Sequence, residues 1–480
     1  MGLRRRAVIA AIIVSLGLSH AARVYAGDAD FPVPASLRVA VNFWKHVFGR
    51  YSEHQIVIHD TEHLGRIYSV LDYRNRAAGG ESAITLEQAE RAGMANEKGR
   101  IRELLLGLDA RAGNDVGLSE EERRIWDLVV KGSNPGKFAA AADPSRIRAQ
   151  RGLRERFAQG VRISRRYLPE MEGIFRAEGV PVELTRLPLV ESCFNIDAYS
   201  KVGAAGIWQF MRATGRVYMR IDGVLDERRD PLRATRGAAH HLRENFEMLG
   251  SWPLAITAYN HGRAGVARAV SDTGTTDIGT IVHRYHGPLF GFASRNFYAE
   301  FIAARAVEGA YEQYFGALEF DAPFRGDEVR LDHALAGKVA ASCASTSSEE
   351  LAALNPAVDG AVFVGHGNIP RGYVLRVPPG ASGSFAQHLA QVAADVRALP
   401  ERQVRPTHTA RRSRGATRST GEPTRTASAD GPVRTHRVGK GQTLSHIAKQ
   451  YRVSVKRLKG FNSLRSSAVK PGQILRIPAG

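Results

Sequence analysis

The stretch from Glu183 to Gly215, ELTRLPLVESCFNIDAYSKVGAAGIWQFMRATG, limits the fold more than any other part of the chain. It reads as a short apolar helix, a polar turn, and a glycine-rich approach to Trp208 and Gln209. Pro181 suits an early helical position, where its missing N–H costs nothing. Leu184, Leu187 and Glu191 are spaced three and four apart and share one helix face. Pro188 beside that face predicts a bend or a shortened helix. Glu191 then projects from an apolar face near a helix end. An ionised carboxylate there is costly unless paired or protonated. Desolvation raises a carboxyl pKa toward what a general acid needs at neutral pH. A solvated helix-end glutamate or an ordinary buried ion pair fits the same spacing.

The chain has 480 residues, enough for several domains, and a net charge of +19. That charge points to an acidic partner: nucleic acid, an anionic membrane or an anionic wall polymer. Arg4 to Arg6, the apolar run Ala7 to Leu18 and the small-residue site Val24-Tyr25-Ala26 read as a cleaved secretory signal over residues 1–26. The run is short for a membrane span, and an uncleaved anchor is the alternative. No cysteine near the cleavage site would carry a lipid. Export to a periplasm or cell envelope removes nucleic acid from the partners. The two cysteines, Cys193 and Cys343, are too few for a disulfide scaffold.

Residues 27–149 read as a helical accessory layer, with apolar residues at helical spacing in VNFWKHVFGRY and HLGRIYSVLDY. His54, His59 and His63 lie near Asp60 and Glu62, but no H-E-x-x-H pattern is present, and histidines on a helix explain them without a metal. Arg146 to Glu178 carries an apolar stripe of Phe157, Val161, Tyr167, Leu168, Met171, Ile174 and Phe175. Trp208 beside Gln209 suits sugar, the ring stacking on a pyranose face and the amide bonding hydroxyl groups; core packing suits Trp208 equally. In Ala258-Tyr259-Asn260-His261-Gly262 a helix ends near Asn260, leaving Tyr259 and Asn260 as polar tips or as a plain C-cap.

Together these motifs carry a resemblance. L-P-L-V-E-S-x-F-N, A-x-S-x-x-G-A-x-G-x-W-Q-F-M-x-x-T-G and A-Y-N-x-G, in that order, resemble the catalytic domain of lytic murein transglycosylases. FGFASRNFYAEF at Phe290 to Phe301 extends the likeness to the transglycosylase D type. The resemblance implies a lysozyme-like helical domain over residues 150–315, with Glu191 as sole catalytic acid and base. It places Ser192, Gln209, Tyr259 and Asn260 along a sugar cleft, with Tyr298 as a further cleft residue. Ordinary glycosidases use two carboxylates; a lone one implies that the muramyl C6 hydroxyl replaces water and that the product is a 1,6-anhydro sugar. No metal or organic cofactor is implied. A muramidase-type hydrolase and a non-catalytic wall-binding scaffold are the alternatives.

Residues 325–380 contain EELAALNPAV and IPRGYVLRVPPG, which resemble the second half of a LysM module without its usual opening. Residues 381–434 are rich in Ser, Thr, Pro, Gly and Arg with almost no large apolar side chains, the composition of a linker. Its arginines suit peripheral contact with membrane or anionic wall polymers. Residues 435–479 show a β-α-α-β order that resembles a LysM domain, which binds N-acetylglucosamine-containing glycan. Gly441, Thr443, Leu444, Pro471 and Gly472 are its candidate contacts. The expected protein is mainly α: a lysozyme-like domain with a helical N-terminal layer, joined by a flexible linker to a small βααβ module. Its expected partner is the glycan strand of peptidoglycan.

Overall fold

Proline and glycine set the ends of the helices that build the main core. Asp230 caps the Pro231–Leu249 helix, accepting 3.0 Å hydrogen bonds from the Leu232 and Arg233 N–H groups. Gly250 ends it at φ +67°, a left-handed conformation that costs glycine nothing. The next helix, Trp252–His261, has Pro253 in its first turn and stops at Gly262, φ +88°. The helix therefore runs one residue past the expected end at Asn260.

The computed structural model describes residues 29–130, 136–392 and 434–438, with further positions between 442 and 477. The expected signal segment, most of the linker, and Gly441, Pro471 and Gly472 lie outside the described residues. The chain forms two units, residues 1–406 and 407–480. The architecture is mainly helical. In the first unit the Arg154–Ala177 helix buries Phe157, Val161, Tyr167, Leu168, Met171 and Phe175 and packs against the Pro231–Leu249 helix. The Phe292–Gly309 helix packs against Trp252–His261 on one side and Arg38–Gly49 on another. Trp44 Nε1 donates to Asn296 Oδ1 at 3.2 Å across the latter contact. One apolar core joins all of these helices. Among the described residues no helix is long and apolar enough to cross a membrane.

The accessory region departs from the helical expectation. Strands β1 (Gln55–Asp60), β2 (Ile67–Asp72) and β3 (Ile147–Arg151) form an antiparallel sheet in the order β2-β1-β3. The segment HLGRIYSVLDY is thus mostly strand, because a short apolar run does not separate the helical period from the strand period. Pairing with β1 decides it. Alternation along β1 buries Val57 in the main core, while Ile56 and Ile58 enter a second core with Ile101, Leu105 and Trp126. The sheet therefore joins the accessory helices to the main body.

The clustered histidines also read differently. His59 is buried on β1 and donates from Nδ1 to the Asp60 carbonyl at 2.9 Å. Burial lowers its pKa to about 4 and keeps it neutral. Among the described residues no group of three His, Cys, Asp or Glu side chains is placed to hold a metal ion.

Residues 327–377 contain a second β-α-α-β arrangement. Asp327–Arg330 pairs antiparallel with Val374–Val377, and helices Gly337–Cys343 and Ser348–Leu354 lie between them in sequence. This subdomain has its own apolar core, into which Leu225 inserts from the main body. Arg376 of its last strand forms a buried ion pair with Asp230, the cap of the Pro231–Leu249 helix. Cys343 is buried there, and it forms no disulfide with Cys193.

In the second unit Arg434–Arg437 pairs antiparallel with Ile474–Ile477. Val438, Leu444, Ile447, Ala448, Leu458 and Leu475 form its core. Leu444 is fully buried there, so it is a core residue and not the glycan contact expected of it; Thr443 is exposed.

Candidate active site

Glu191 owes its position to a chain reversal that few sequences tolerate. Val182–Arg186 forms a 3-10 turn, and Leu187–Glu191 adds a single α turn with Pro188 in its first positions. The Pro188 carbonyl accepts from both the Ser192 and the Phe194 N–H, each at 3.1 Å. Cys193 and Phe194 sit at φ +49° and +54°, a left-handed conformation that costs a non-glycine residue about 1–2 kcal/mol. Two contacts offset this. Phe194 is fully buried in the main core, and Gly160 lets the Arg154–Ala177 helix approach the Cys193 backbone. A Cβ on Gly160 would meet the Cys193 carbonyl oxygen at 2.6 Å.

Glu191 is half-exposed yet its carboxyl is closely surrounded by protein. No hydrogen bond or ion pair holds it among the described residues. Burial alone pushes its pKa up to about 8, so it carries its proton at neutral pH. This is the state of a general acid.

The surrounding loop is pinned by a residue that sequence reasoning passed over. Arg228 is 1% exposed and grips Asp226 with two hydrogen bonds, 2.8 and 2.6 Å. Its Nη1 donates to the carbonyls of Gly203 and Phe210 at 2.8 and 2.9 Å, closing the loop that carries Trp208 and Gln209. Gly206, at φ +72°, lies so close that a Cβ there would be 1.9 Å from the Arg228 carbonyl oxygen. An arginine in the run DERRD has no sequence signature that separates a loop pin from a solvated charge.

The expected cleft residues divide into several roles. Ser192 spends its hydroxyl on the Ile207 carbonyl at 2.9 Å and the Pro188 carbonyl at 3.3 Å, tying the Glu191 turn to the loop. Gln209 donates from Nε2 to the Gly206 carbonyl at 2.8 Å. Tyr259 donates to the Trp208 carbonyl at 2.9 Å. Burial, then the charge of Glu191, raises its phenol pKa well above the ordinary value. Asn260 is exposed and accepts from Ser294 Oγ at 3.0 Å. Glu191 and Tyr259 come within electrostatic reach of each other.

The structure settles one open reading of an aromatic residue and corrects another. Trp208 does not present its ring to a sugar. It is fully buried, stacks on Phe175 at 5.7 Å between centroids, and donates from Nε1 to Thr235 Oγ1 at 2.9 Å. Tyr298 is 1% exposed, with its hydroxyl donating to the Pro32 carbonyl at 2.7 Å. It anchors the Pro32 segment to the core and does not line the expected cleft. Two positions further along the same helix, the structure brings Glu300 to Glu191 instead.

Glu300 is partly exposed, and its pKa is pushed up to about 8 by burial and then by the charge of Glu191; Arg148 acts in the opposite direction. Arg148 comes from β3 of the accessory sheet, its guanidinium 4.1 Å above the Phe292 ring. The sequence reading took Glu191 as the lone carboxylate. Glu300 lies over a hundred residues away in sequence, and only helix packing reveals it.

The Transglycosylase SLT domain model matches residues 175–282. The chain carries a transglycosylase SLT domain. A LysM domain is matched at residues 436–478. The SLT match includes Glu191, Ser192, Gln209, Tyr259 and Asn260; Arg148 and Glu300 fall outside it. Membrane-bound lytic murein transglycosylase D of Escherichia coli (strain K12) is 29% identical over 322 residues, 65% of this chain and 64% of that protein. The protein of the same name from Escherichia coli O6:H1 (strain CFT073) gives the same figures. A protein of Alteromonas sp. (strain M-1) named for tributyltin chloride resistance is 38% identical over 97 residues, 19% of this chain and 46% of that protein. The chain spans about 64% of the length of the transglycosylase D relatives.

Proposed function

We propose that the protein is an exported lytic transglycosylase that cleaves the β-1,4 bond between N-acetylmuramic acid and N-acetylglucosamine in peptidoglycan. The observation that carries this reading is Glu191, a protonated carboxyl without hydrogen-bond or ion-pair partners among the described residues, inside an SLT domain. Glu191 gives its proton to the bridging oxygen, and the bond from that oxygen to C1 breaks. The acetamido group of the substrate stabilises the positive charge at C1. The carboxylate then takes the proton of the muramyl C6 hydroxyl as O6 bonds to C1. Glu191 ends protonated, the products are a 1,6-anhydromuramyl end and a free N-acetylglucosamine end, and no water is consumed. Tyr259, Gln209 and Asn260 lie on the motif positions that would border the sugar. The LysM domain holds the enzyme on glycan, and the basic linker suits contact with membrane or anionic wall polymers.

One feature favours a second reading. Glu300 provides a second cleft carboxylate, and a carboxylate that activated water would make the enzyme a muramidase-type hydrolase. Digestion of purified peptidoglycan followed by mass analysis separates the two. Anhydro ends support the transglycosylase, and reducing ends refute it. A Glu191→Gln variant with full activity removes Glu191 from either mechanism.

A further inference from the structure

The 327–377 subdomain is fastened to the 220–233 segment of the main body by backbone as well as side chains. Leu225 and Val358 form an antiparallel bridge. The Asp226 N–H donates to the Ala357 carbonyl and the Asp359 N–H to the Val224 carbonyl, each at 2.8 Å. Arg233 Nη2 reaches the Val374 carbonyl at 2.7 Å, and the Arg376–Asp230 ion pair adds to the contact. Beside this junction lies an open cavity of about 440 Å³, to which the subdomain contributes Ala357 and Asp359. The volume is in the range of small-ligand sites. Asp197, Ala198 and Tyr199, shortly after Glu191 in the chain, form another part of its wall. That wall is tied to the Gln209 loop: the Gly206 N–H donates to the Ala198 carbonyl at 2.9 Å, and Tyr199 bridges to Ala205.

The charges lining the cavity divide by whether the fold already uses them. Asp222 accepts from the Val224 and Leu225 N–H groups at 2.8 Å and from Arg220 Nε at 2.7 Å. Asp226 is gripped by Arg228, and Asp359 accepts from the Ala361 N–H at 2.8 Å. Arg212 Nη2 donates to the Asp222 carbonyl at 3.3 Å. The Asp197 carboxylate and the Arg229 guanidinium have no hydrogen bond or ion pair among the described residues. Asp197 is exposed, whereas Arg229 is half-buried, and a guanidinium drawn out of water gains from a carboxylate partner. The cavity thus offers one uncommitted acceptor and one uncommitted donor of opposite charge, beside the exposed Tyr199 ring. A lone anion entering it would meet the aspartates, and a lone cation would meet Arg212 and Arg229. A ligand end that carries both an ammonium and a carboxylate satisfies both free charges.

This inference rests on the reading of the protein as an enzyme of peptidoglycan. We propose that the cavity binds an uncross-linked end of a peptide borne by the glycan, with its ammonium on Asp197, its carboxylate on Arg229 and its aliphatic part against Tyr199. Peptides on muramyl residues present such ends where no cross-link has consumed the amine. No bond is made or broken in the cavity. Glu191 and Asp197 stand close together in the chain, so a strand held at Glu191 carries its peptides near the site. The 327–377 subdomain completes a pocket that selects strands by their peptides.

The test uses the full-length chain and two substrates: glycan strands bearing uncross-linked peptides, and the same strands stripped of peptides by an amidase. kcat/KM for each is read from the released fragments by mass analysis. The wild type should favour peptide-bearing strands by about tenfold, the worth of one charge-assisted contact. Asp197→Asn and Arg229→Gln should each bring the ratio close to one, through KM rather than kcat. Melting curves establish that each variant folds, and if one does not, the other decides. A wild type without preference, or a folded variant that keeps the wild-type ratio, overturns the proposal. A variant that loses equally on both substrates belongs to the second case and would make the cavity a sugar site. A wild type that cuts neither substrate refutes the enzyme reading and this proposal with it, whereas equal cutting of both refutes this proposal alone.

Discussion

Glu191 should weaken the fold that it serves, by an amount that depends on pH. Its carboxyl titrates near 4.5 when solvated and at about 8 in the folded protein, because burial disfavours its charge. Between these values the folded chain binds more protons than the unfolded chain. Stability therefore falls as pH rises through that window, and the loss is complete above about 8. At about 1.4 kcal/mol per unit, the ceiling is about 5 kcal/mol. Solvent reaches part of the carboxylate, and screening reduces the effect to about 1–3 kcal/mol. Glu191→Gln keeps the shape and cannot ionise. Near pH 4 it should melt with the wild type, since the Glu191 carboxyl is then mostly neutral in both the folded and the unfolded chain. Near pH 9 it should melt higher, by about 2–4 °C for each kcal/mol recovered. Thermal unfolding followed by circular dichroism across this range checks the sign and the slope. A difference that does not grow with pH, or a variant that melts lower near pH 9, would refute the assignment of a desolvated carboxyl to Glu191.

Other outcomes follow from the packing. Arg376→Ala leaves Asp230 buried without its closest cation and should destabilise the first unit by about 3–5 kcal/mol in chemical denaturation. Trp208→Phe removes the bond to Thr235 and part of a core side chain; it should cost about 1–3 kcal/mol of stability, and KM for peptidoglycan should stay near wild type in the variant that remains folded. Tyr298→Phe loses only the bond to the Pro32 carbonyl; it should cost about 1 kcal/mol in unfolding and leave kcat unchanged, whereas a fall in kcat would return Tyr298 to the cleft.

Local pattern carried much of this protein into view. The spacing of Leu184, Leu187 and Glu191 already placed a carboxyl on an apolar helix face, and desolvation of such a group follows from elementary electrostatics. Gly262 marked the end of the helix that carries Tyr259, because its backbone preference acts wherever it stands. The strand pair that closes the C-terminal module was legible in the order of its residues.

What the sequence did not disclose depends on partners distant along the chain. HLGRIYSVLDY became a strand only through pairing with β1. Tyr298 and Glu300 lie two residues apart on one helix, and their roles depend on what packs over each: Pro32 over the first, the Glu191 turn beside the second. Trp208 faces inward because Phe175 and Thr235 meet it there. The sequence by itself determined that one acidic side chain would stand on an apolar turn. Only the tertiary structure decided that a second carboxylate and an arginine from the accessory sheet stand near it. Charge interactions act through space, and sequence separation does not limit them.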